Sequence, residues 1–228
     1  MTKYDFRRKK ILVACEESQA VTVAFRRLGH EAYSCDITPC SGNHPEWHIM
    51  GDCLPLLNGR CKFETMNGES HEIEGKWDII IAHPPCTYLT KASACRLYKT
   101  AGAIDPERMQ KAVSARLFFQ RFLDADCDRV CIENPTPLKV MCLPPPTQVI
   151  QPYEYGHPYS KRTCLWLRGL PHLVPTDIQE TCSPWMPSNT GKFARGGGGA
   201  RGHVHNSKEA SKTFAGIAAA MAEQWGSE

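Results

Sequence analysis

The sequence WDIIIAHPPC, residues 77–86, predicts a buried β-strand that stops at two prolines. Proline has no amide hydrogen and a fixed φ, so the chain must leave the sheet in a rigid, extended turn. Cys86 is thereby placed at the carboxyl end of a central strand, where open α/β sheets bind their ligands. The segment RVCIENP, residues 129–135, repeats this design with Glu133 before the proline. We therefore expect a thiol and a carboxyl group to face one crevice.

Strand and helix patterns alternate around this stretch, which predicts a parallel sheet. Further strands are predicted at residues 11–15, 30–36, 49–50, 149–150 and 163–167, and a hairpin at 61–75 with its turn at Asn67-Gly68. Helices are predicted at 18–28, capped by Ser18 and ended by Gly29, at 106–123, with Val113, Leu117 and Phe118 at helical spacing, and from Ser207 to about Trp225. The fold class is therefore α/β, with a mostly parallel central sheet, helices on both faces and a small loop-rich appendage.

The composition is that of an ordinary globular protein, with 42% hydrophobic and 22% charged residues among 228. A net charge of +3 is too small to indicate an anionic partner by itself. The basic start runs into only a short apolar strand, so we expect neither a secretory leader nor a membrane span. The 12 cysteines are scattered, and several lie in strand-like runs, which favours reduced thiols in the cytoplasm. Because no set of ligands has the spacing of a tetrahedral site, we expect no bound metal.

Acidic residues follow the second and third predicted strands, at Asp36 and Asp52. In doubly wound folds, an acid after the second strand hydrogen-bonds ribose hydroxyls. The turn after the first strand reads CEESQ, residues 15–19, and its two carboxylates would repel a dinucleotide pyrophosphate. A cofactor without phosphates, such as S-adenosylmethionine, fits better because its sulfonium and amino groups are cationic. The alternative is that these acids are solvated or cap helices.

Taken together, the motifs resemble those of the C5-cytosine DNA methyltransferases. Pro84-Pro85-Cys86 after a strand and Glu133-Asn134-Pro135, where the family usually has Glu-Asn-Val, come in the family's order. Gly51-Asp52 is similar to the family's adenine-binding acid, and Ser160-Lys161-Arg162-Thr163 resembles a reduced form of its arginine motif. Residues 155–167 are similar to short phage and prophage members. The resemblance implies a Rossmann-like S-adenosylmethionine-dependent methyltransferase fold, S-adenosylmethionine as cofactor, double-stranded DNA as partner and the bacterial host cytoplasm as location.

The resemblance also implies roles for individual residues. Cys86 would add as a thiolate to cytosine C6, with its pKa lowered by Arg162 or the sulfonium, and Glu133, with its pKa raised by burial, would hold or protonate the N3/N4 edge. The implied cofactor contacts are Cys15, Glu16, Glu17, Ser18, Asp36, Ile37, Asp52, Cys53 and Pro84. The implied substrate contacts are Pro85, Asn134, Lys161, Arg195 and Arg201.

Alternatives to this interpretation stay open. We expect a cofactor-binding and catalytic core at 1–143, a reduced, loop-rich recognition region at 144–206 and a C-terminal helix at 207–228 that packs back on the core. Because the recognition region is short, the chain could instead be a methylase of free pyrimidine nucleotides or RNA, or a non-catalytic nucleic-acid-binding relative. Cys86 could be a small buried hydrophobe, and His83 at the strand end is expected to be structural. The oligomeric state is open.

Overall fold

A sheet of seven strands forms the centre of the protein, which a computed structural model describes over residues 7–91, 94–98, 102–185, 209 and 211–227. The strands are, in chain order, β1 (Lys10–Ala14), β2 (Glu31–Asp36), β3 (His48–Met50), β4 (Cys61–Glu64), β5 (Ser70–Ile73), β6 (Ile79–Ala82), β7 (Val130–Pro135), β8 (Gln148–Ile150), β9 (Tyr159–Ser160), β10 (Thr163–Arg168) and β11 (Ser183–Pro184). The α-helices are α1 (Ala20–Arg27), α2 (Ala94–Leu97), α3 (Pro106–Leu123) and α4 (Ala215–Gly226).

The central sheet has the strand order β3-β2-β1-β6-β7-β10-β8. Its first five strands in that order are parallel, whereas β10 is antiparallel to β7 and β8 is antiparallel to β10. The chain runs outward from β1 through β2 and β3 and then returns to β6 on the other side of β1. This path places a topological switch point between the carboxyl ends of β1 and β6, where open α/β sheets bind ligands. The predicted α/β class with a mostly parallel sheet is confirmed.

Helices cover both faces of the sheet because its central strands are apolar on both sides. On one face, Ile11 of β1 packs with Phe25 of α1 and Trp225 of α4. On the other face, Leu12 belongs to the same buried cluster as Phe119 of α3. Burial of each such side chain contributes roughly 1.5–3 kcal/mol, so both helical layers hold β1 and β6 in place.

A buried lysine joins the last helix to the first strand. The Nζ of Lys9, just before β1, donates to the carbonyl oxygens of Trp225 and Gly226 at 3.0 and 2.8 Å. A cation is favourable there because the last carbonyls of a helix lack intrahelical partners and carry partial negative charge. The end of α4 is thereby fixed against the start of the sheet.

The start of α1 differs from the sequence prediction. The helix begins at Ala20, and Gln19 before it has a left-handed backbone with φ 60° and no side-chain cap. The carboxylate of Glu16 instead accepts hydrogen bonds from the amides of Val21 and Thr22, at 2.6 and 3.2 Å. The predicted cap by Ser18 is therefore wrong, because the turn at Gln19 brings Glu16 to the first free amides of the helix.

The α3 helix has the predicted bounds but buries a different face. Val113 and Leu117 are 46% and 62% exposed, whereas the buried side chains are Ala112, Phe119 and Phe122. Apolar residues occur around more than one side of this helix, so their spacing could not tell which side meets the sheet. The predicted apolar face is therefore wrong for Val113 and Leu117, whereas Phe118 is partly buried and packs against the core.

The last helix begins later than the sequence predicted. Phe214 has an extended backbone, with φ −67° and ψ 139°, and α4 starts at the next residue. The prediction of a continuous helix from about Ser207 is therefore wrong. Ser207 itself lies outside the described part of the chain. The hairpin of β4 and β5 is confirmed, with Gly68 in its turn at a φ of 87° that suits glycine.

The division of the chain into three regions stays a prediction. β8 and β10 come from the stretch that was expected to be a reduced recognition region, yet they are strands of the central sheet. None of the helices in the described ranges is long and apolar enough to cross a membrane. The cysteines whose side chains the structure describes are free thiols.

Candidate active site

The turn after β6 is fixed by contacts with both neighbouring strands. The amide of His83 donates to the carbonyl of Ala14 at 2.9 Å, which extends the pairing with β1. The buried Nδ2 of Asn134, in β7, donates to the carbonyl of Pro84 at 2.8 Å. Asn134, which was predicted to contact substrate, thus uses its amide nitrogen to hold the turn, while Pro85 is exposed. The result is a rigid base for Cys86.

Cys86 and Glu133 lie at the ends of adjacent strands, as the sequence predicted. β6 and β7 are neighbours in the sheet, and the carboxylate of Glu133 raises the pKa of the Cys86 thiol. Burial is the larger cause of that rise, and the charge of Lys161 opposes it. The prediction of a lowered pKa is therefore wrong for the protein without ligands: Cys86 carries its proton at neutral pH.

The pKa of Glu133 also differs from the prediction: it is lowered, whereas a rise was predicted. Burial raises its pKa, but a hydrogen bond from His83 and the charge of Lys161 together outweigh burial and leave the pKa lowered. The Nδ1 of His83 lies 3.1 Å from Oε2 of Glu133, and the two side chains are only 8% and 10% exposed. A hydrogen bond to the ionised form favours that form, so Glu133 is a carboxylate at neutral pH.

His83 belongs to the candidate site through its contact with Glu133, whereas the sequence predicted only a structural role for it. Its Nε2 is buried and has no hydrogen-bond partner among the described residues. Its ring also acts electrostatically on Glu16, whose carboxyl is fully buried and has a pKa that burial raises and His83 lowers in part. His83 therefore lies between two buried carboxyl groups, one after β1 and one in β7. Its place directly before two prolines at a strand end was the available signal.

The basic residue beside the pair is Lys161 and not the predicted Arg162. Lys161 is half-buried, its amide donates to Oε1 of Gln151 at 2.9 Å, and its charge lowers the pKa of both Cys86 and Glu133. Arg162 is exposed, and its Nε donates to Oγ1 of Thr136 at 3.2 Å. Its charge acts on Cys164 rather than on the pair. The sequence could not separate these neighbours, because β10 decides which of them faces inward.

The loop after β1 forms its turn without glycine. Cys15 has a left-handed backbone with φ 59°, and its Sγ lies 4.0 Å from that of Cys53. The hydrogen bond with Cys53 and burial raise the pKa of Cys15 well above the usual range. The carboxylate of Glu16 accepts hydrogen bonds from the first amides of α1, whereas Glu17 and Ser18 are half-buried in the following turn. The four residues therefore lie together at the switch point, but Glu16 is a helix cap.

The predicted ribose and adenine acids lie side by side at the ends of β2 and β3. Oδ1 of Asp36 accepts hydrogen bonds from the amide and hydroxyl of Thr38, at 2.9 and 2.8 Å. Oδ1 of Asp52 accepts one from the amide of Leu54 at 3.0 Å. Ile37, directly after Asp36, is 80% exposed. The edge thus offers two carboxylates and one apolar side chain, and no cluster of amides that would suit phosphates among these residues.

Two predicted substrate contacts, Arg195 and Arg201, lie outside the described residues. Within the ranges that the structure describes, no group of three or more histidine, cysteine, aspartate or glutamate side chains could hold a metal ion.

No known family model and no curated protein matches the chain. Among solved structures, the chain is similar to the Entamoeba histolytica methyltransferase EhMeth, with 14% identity and a TM-score of 0.40 over 78% of this chain and 58% of that one. It is also similar to a mutant form of DNMT2 from Spodoptera frugiperda, with 15% identity and a TM-score of 0.34 over 79% and 56%. The chain thus spans well under two thirds of either protein. Likeness at this level of identity concerns the fold alone and says nothing about the reaction.

Proposed function

We propose that this protein transfers a methyl group from S-adenosylmethionine to C5 of cytosine in DNA, with Cys86 as nucleophile. The observation that carries the proposal is that Cys86 and Glu133 lie at the ends of the adjacent strands β6 and β7, next to the switch point of the sheet, where the charge of Lys161 acts on both. A thiol in the turn after β6, an ionised carboxyl group in β7 and an ammonium group in the segment before β10 are the set that this addition chemistry needs.

The chemistry explains the need for a thiol. C5 of cytosine is too electron-poor to attack a methyl donor unaided. When the sulfur of Cys86 bonds to C6, the electron pair of the C5–C6 double bond moves toward C4, and the pair of the C4–N3 double bond moves onto N3. The ring is then an enamine whose C5 is nucleophilic, so that one difficult step is divided into two.

The protonation states in the site suggest where the proton travels. Cys86 begins as a thiol and Glu133 as a carboxylate. Glu133 accepts the proton of the thiol and delivers it to N3 as the bond from sulfur to C6 forms. The thiol proton is thereby used on the base, and no outside acid is required. Lys161 supports the step because its positive charge stabilises both the developing thiolate and the carboxylate. After methylation the C5 proton is lost to water, its electron pair re-forms the C5–C6 double bond, and the thiolate leaves C6. N3 then returns its proton through Glu133 to the sulfur, which restores the Cys86 thiol.

The edge formed by β1, β2 and β3 fits S-adenosylmethionine by its chemistry. Asp36 would bind the ribose hydroxyls, Asp52 would bind the amino group of adenine, and the exposed Ile37 would pack on the adenine ring. When bound, this cofactor supplies an electrophilic methyl group. The carboxyl-rich loop at Glu16 and Glu17 disfavours a phosphate-bearing cofactor in the same place.

DNA as substrate requires that the target base leave the helix. A stacked cytosine cannot reach Cys86 at the end of a sheet, so the base must be flipped at a cost of about a few kcal/mol. Lys91 and Arg96, exposed on the segment after the Pro-Pro turn, together with Lys161 and Arg162, would hold phosphates and repay part of this cost. Double-stranded DNA is therefore the proposed partner.

The test is transfer of a tritiated methyl group from S-adenosylmethionine to unmethylated duplex DNA, followed by analysis of the labelled base. We expect label in 5-methylcytosine with the unchanged protein and with Cys182→Ala, which removes a different, exposed thiol. We expect none above background with Cys86→Ala. Label in RNA or in cytidine nucleotides but not in DNA would move the proposal to those substrates. Cofactor binding with no transfer to any of them would make the chain a binding protein.

A further inference from the structure

Glu133 has its two carboxyl oxygens in different situations. Oε2 is held by Nδ1 of His83 at 3.1 Å, and both side chains are about nine-tenths buried or more. The backbone of His83 is fixed because its amide is bound to Ala14 and the next residue is the first proline of the turn, and burial of the ring restricts its rotation. One oxygen of Glu133 is therefore fixed by a rigid neighbour.

The charged groups around His83 come from three other elements. Glu16 lies on the β1 side, Glu133 on the β7 side, and Lys161 and Cys86 lie near Glu133. The carboxylate of Glu16 already accepts three hydrogen bonds from α1, at 2.6, 3.2 and 2.7 Å. Nε2 of His83 has no partner among the described residues. Among the described residues, the ring of His83 therefore makes a single hydrogen bond, to Glu133. Glu16 affects His83 only through its charge.

We propose that His83 is the positioning residue of Glu133, holding Oε2 so that Oε1 alone accepts the thiol proton of Cys86 and delivers it to the pyrimidine. This inference rests on the proposed function. It adds a residue that neither the sequence motifs nor the order of strands assigns to the reaction.

Two physical effects follow from the contact. A carboxylate that accepts a hydrogen bond from a buried donor stays ionised to lower pH, so Glu133 is ready to take a proton when substrate arrives. With Oε2 occupied, rotation of the carboxyl group is restricted, and the proton is taken up and released at one oxygen. During the step, the S–H bond breaks, an O–H bond forms at Oε1 and breaks again, and an N3–H bond forms. His83 keeps its own proton throughout.

The test compares two substitutions of one residue. His83→Asn keeps an N–H donor close to the position of Nδ1, whereas His83→Leu removes it. The first readout is single-turnover methyl transfer at saturating cofactor across pH 3.5–9, a range that extends below the ordinary carboxyl pKa because that of Glu133 is lowered. With His83→Leu we expect the rate at pH 7 to fall about 30-fold, and the acid-side loss of activity to move up by about one pH unit because Glu133 becomes harder to ionise. With His83→Asn we expect a fall of about threefold and little movement of the acid limb.

The second readout does not depend on methyl transfer. The carboxyl carbon of Glu133, labelled with ¹³C and assigned by its loss in Glu133→Gln, is titrated by NMR. We expect its midpoint to rise by about one pH unit in His83→Leu, much less in His83→Asn, and not at all in His172→Leu, which changes an exposed histidine elsewhere. Thermal unfolding and cofactor affinity of each variant separate this effect from damage to the fold.

The possible results keep the inference and the proposed function apart. An unchanged titration of Glu133 in His83→Leu, or equal loss of activity in the Asn and Leu variants, would overturn the inference while leaving methyl transfer in place. A shifted titration in a protein that methylates no pyrimidine would uphold the role of His83 toward Glu133 and overturn the proposed function.

Discussion

The two halves of the candidate site are built in different ways. At the ends of β2 and β3, Asp36 and Asp52 each bind an amide two residues further along their own loop. At the ends of β6 and β7, Glu133 binds His83, 50 residues earlier in the chain, and Lys161 acts on it from the segment before β10. The first half is an assembly of local turns, and the second is a network across strands. Changes in the first half should therefore stay local, whereas changes in the second should alter several groups at once.

The largest effect is expected in the network. Glu133→Gln keeps the size of the side chain and an acceptor for His83 but removes the group that carries the proton in the proposed mechanism. We expect methyl transfer to fall by about 10³-fold in single turnovers, because general acid–base catalysis of this kind contributes about 10²–10⁴-fold. Binding of S-adenosylmethionine, measured by calorimetry, should not change.

Glu180→Gln, in an exposed loop, is the control and should behave as the unchanged protein. A loss of less than about tenfold with Glu133→Gln would show that proton transfer through this carboxyl is not needed.

A smaller effect of a different kind is expected in the local half. Asp36→Asn and Asp52→Asn each keep an oxygen that can accept the hydrogen bond of the local turn. In the proposed cofactor site each variant would lose a charged hydrogen bond, which contributes about 1.5–3 kcal/mol, so the Kd for S-adenosylmethionine should rise at least tenfold. The rate at saturating cofactor should stay within about threefold of the unchanged protein.

Asp124→Asn, at the exposed end of α3, supplies the comparison and should leave the Kd unaltered. If the two strand-end variants instead reduced the saturated rate and spared the Kd, the assignment of this edge to the cofactor would be wrong.

The smallest effect distinguishes two neighbouring basic residues. Lys161 lowers the pKa of Cys86, so Lys161→Met should raise that pKa further and reduce the thiolate fraction. We expect the rate of Cys86 alkylation by iodoacetamide at pH 8, followed by mass spectrometry of the peptide, to fall about three- to tenfold. Arg162→Met should leave this rate unchanged, because Arg162 is bound to Thr136 and acts on Cys164. Equal slowing by both substitutions would contradict the assignment to Lys161 alone.

The sequence alone predicts the features that depend on runs of apolar residues and on the prolines that end them. The apolar strands that end at Pro84 and Pro135 are adjacent, and they bring Cys86 and Glu133 to one edge as predicted. These features could be found because a buried parallel strand is apolar on both sides and proline ends it. The acids after β2 and β3 follow from the same logic.

The sequence was not sufficient for features decided by groups that meet only in the fold. Burial and the charge of Glu133 raise the pKa of Cys86 against the opposing charge of Lys161. The lowered pKa of Glu133 depends on His83 and Lys161, and neither residue lies beside Glu133 in the chain. The helix cap by Glu16 depends on the left-handed backbone of Gln19. The sequence could not predict this conformation, because residues other than glycine rarely adopt it. The starting point of α4 depends in the same way on one extended residue, Phe214.

The contact of Lys9 with the carbonyls of Trp225 and Gly226 has a consequence for synthesis of the protein. The partners are 216 residues apart, so a chain emerging from the ribosome makes its first strand long before the helix that covers it. Until residues 215–226 have been released, the apolar surface of β1 that packs against Trp225 is bare, and chaperones or neighbouring chains can bind it. Contacts between such distant residues also slow folding, because a long loop must close before they form. The nascent protein therefore exposes this part of its sheet until residues 215–226 pack on it.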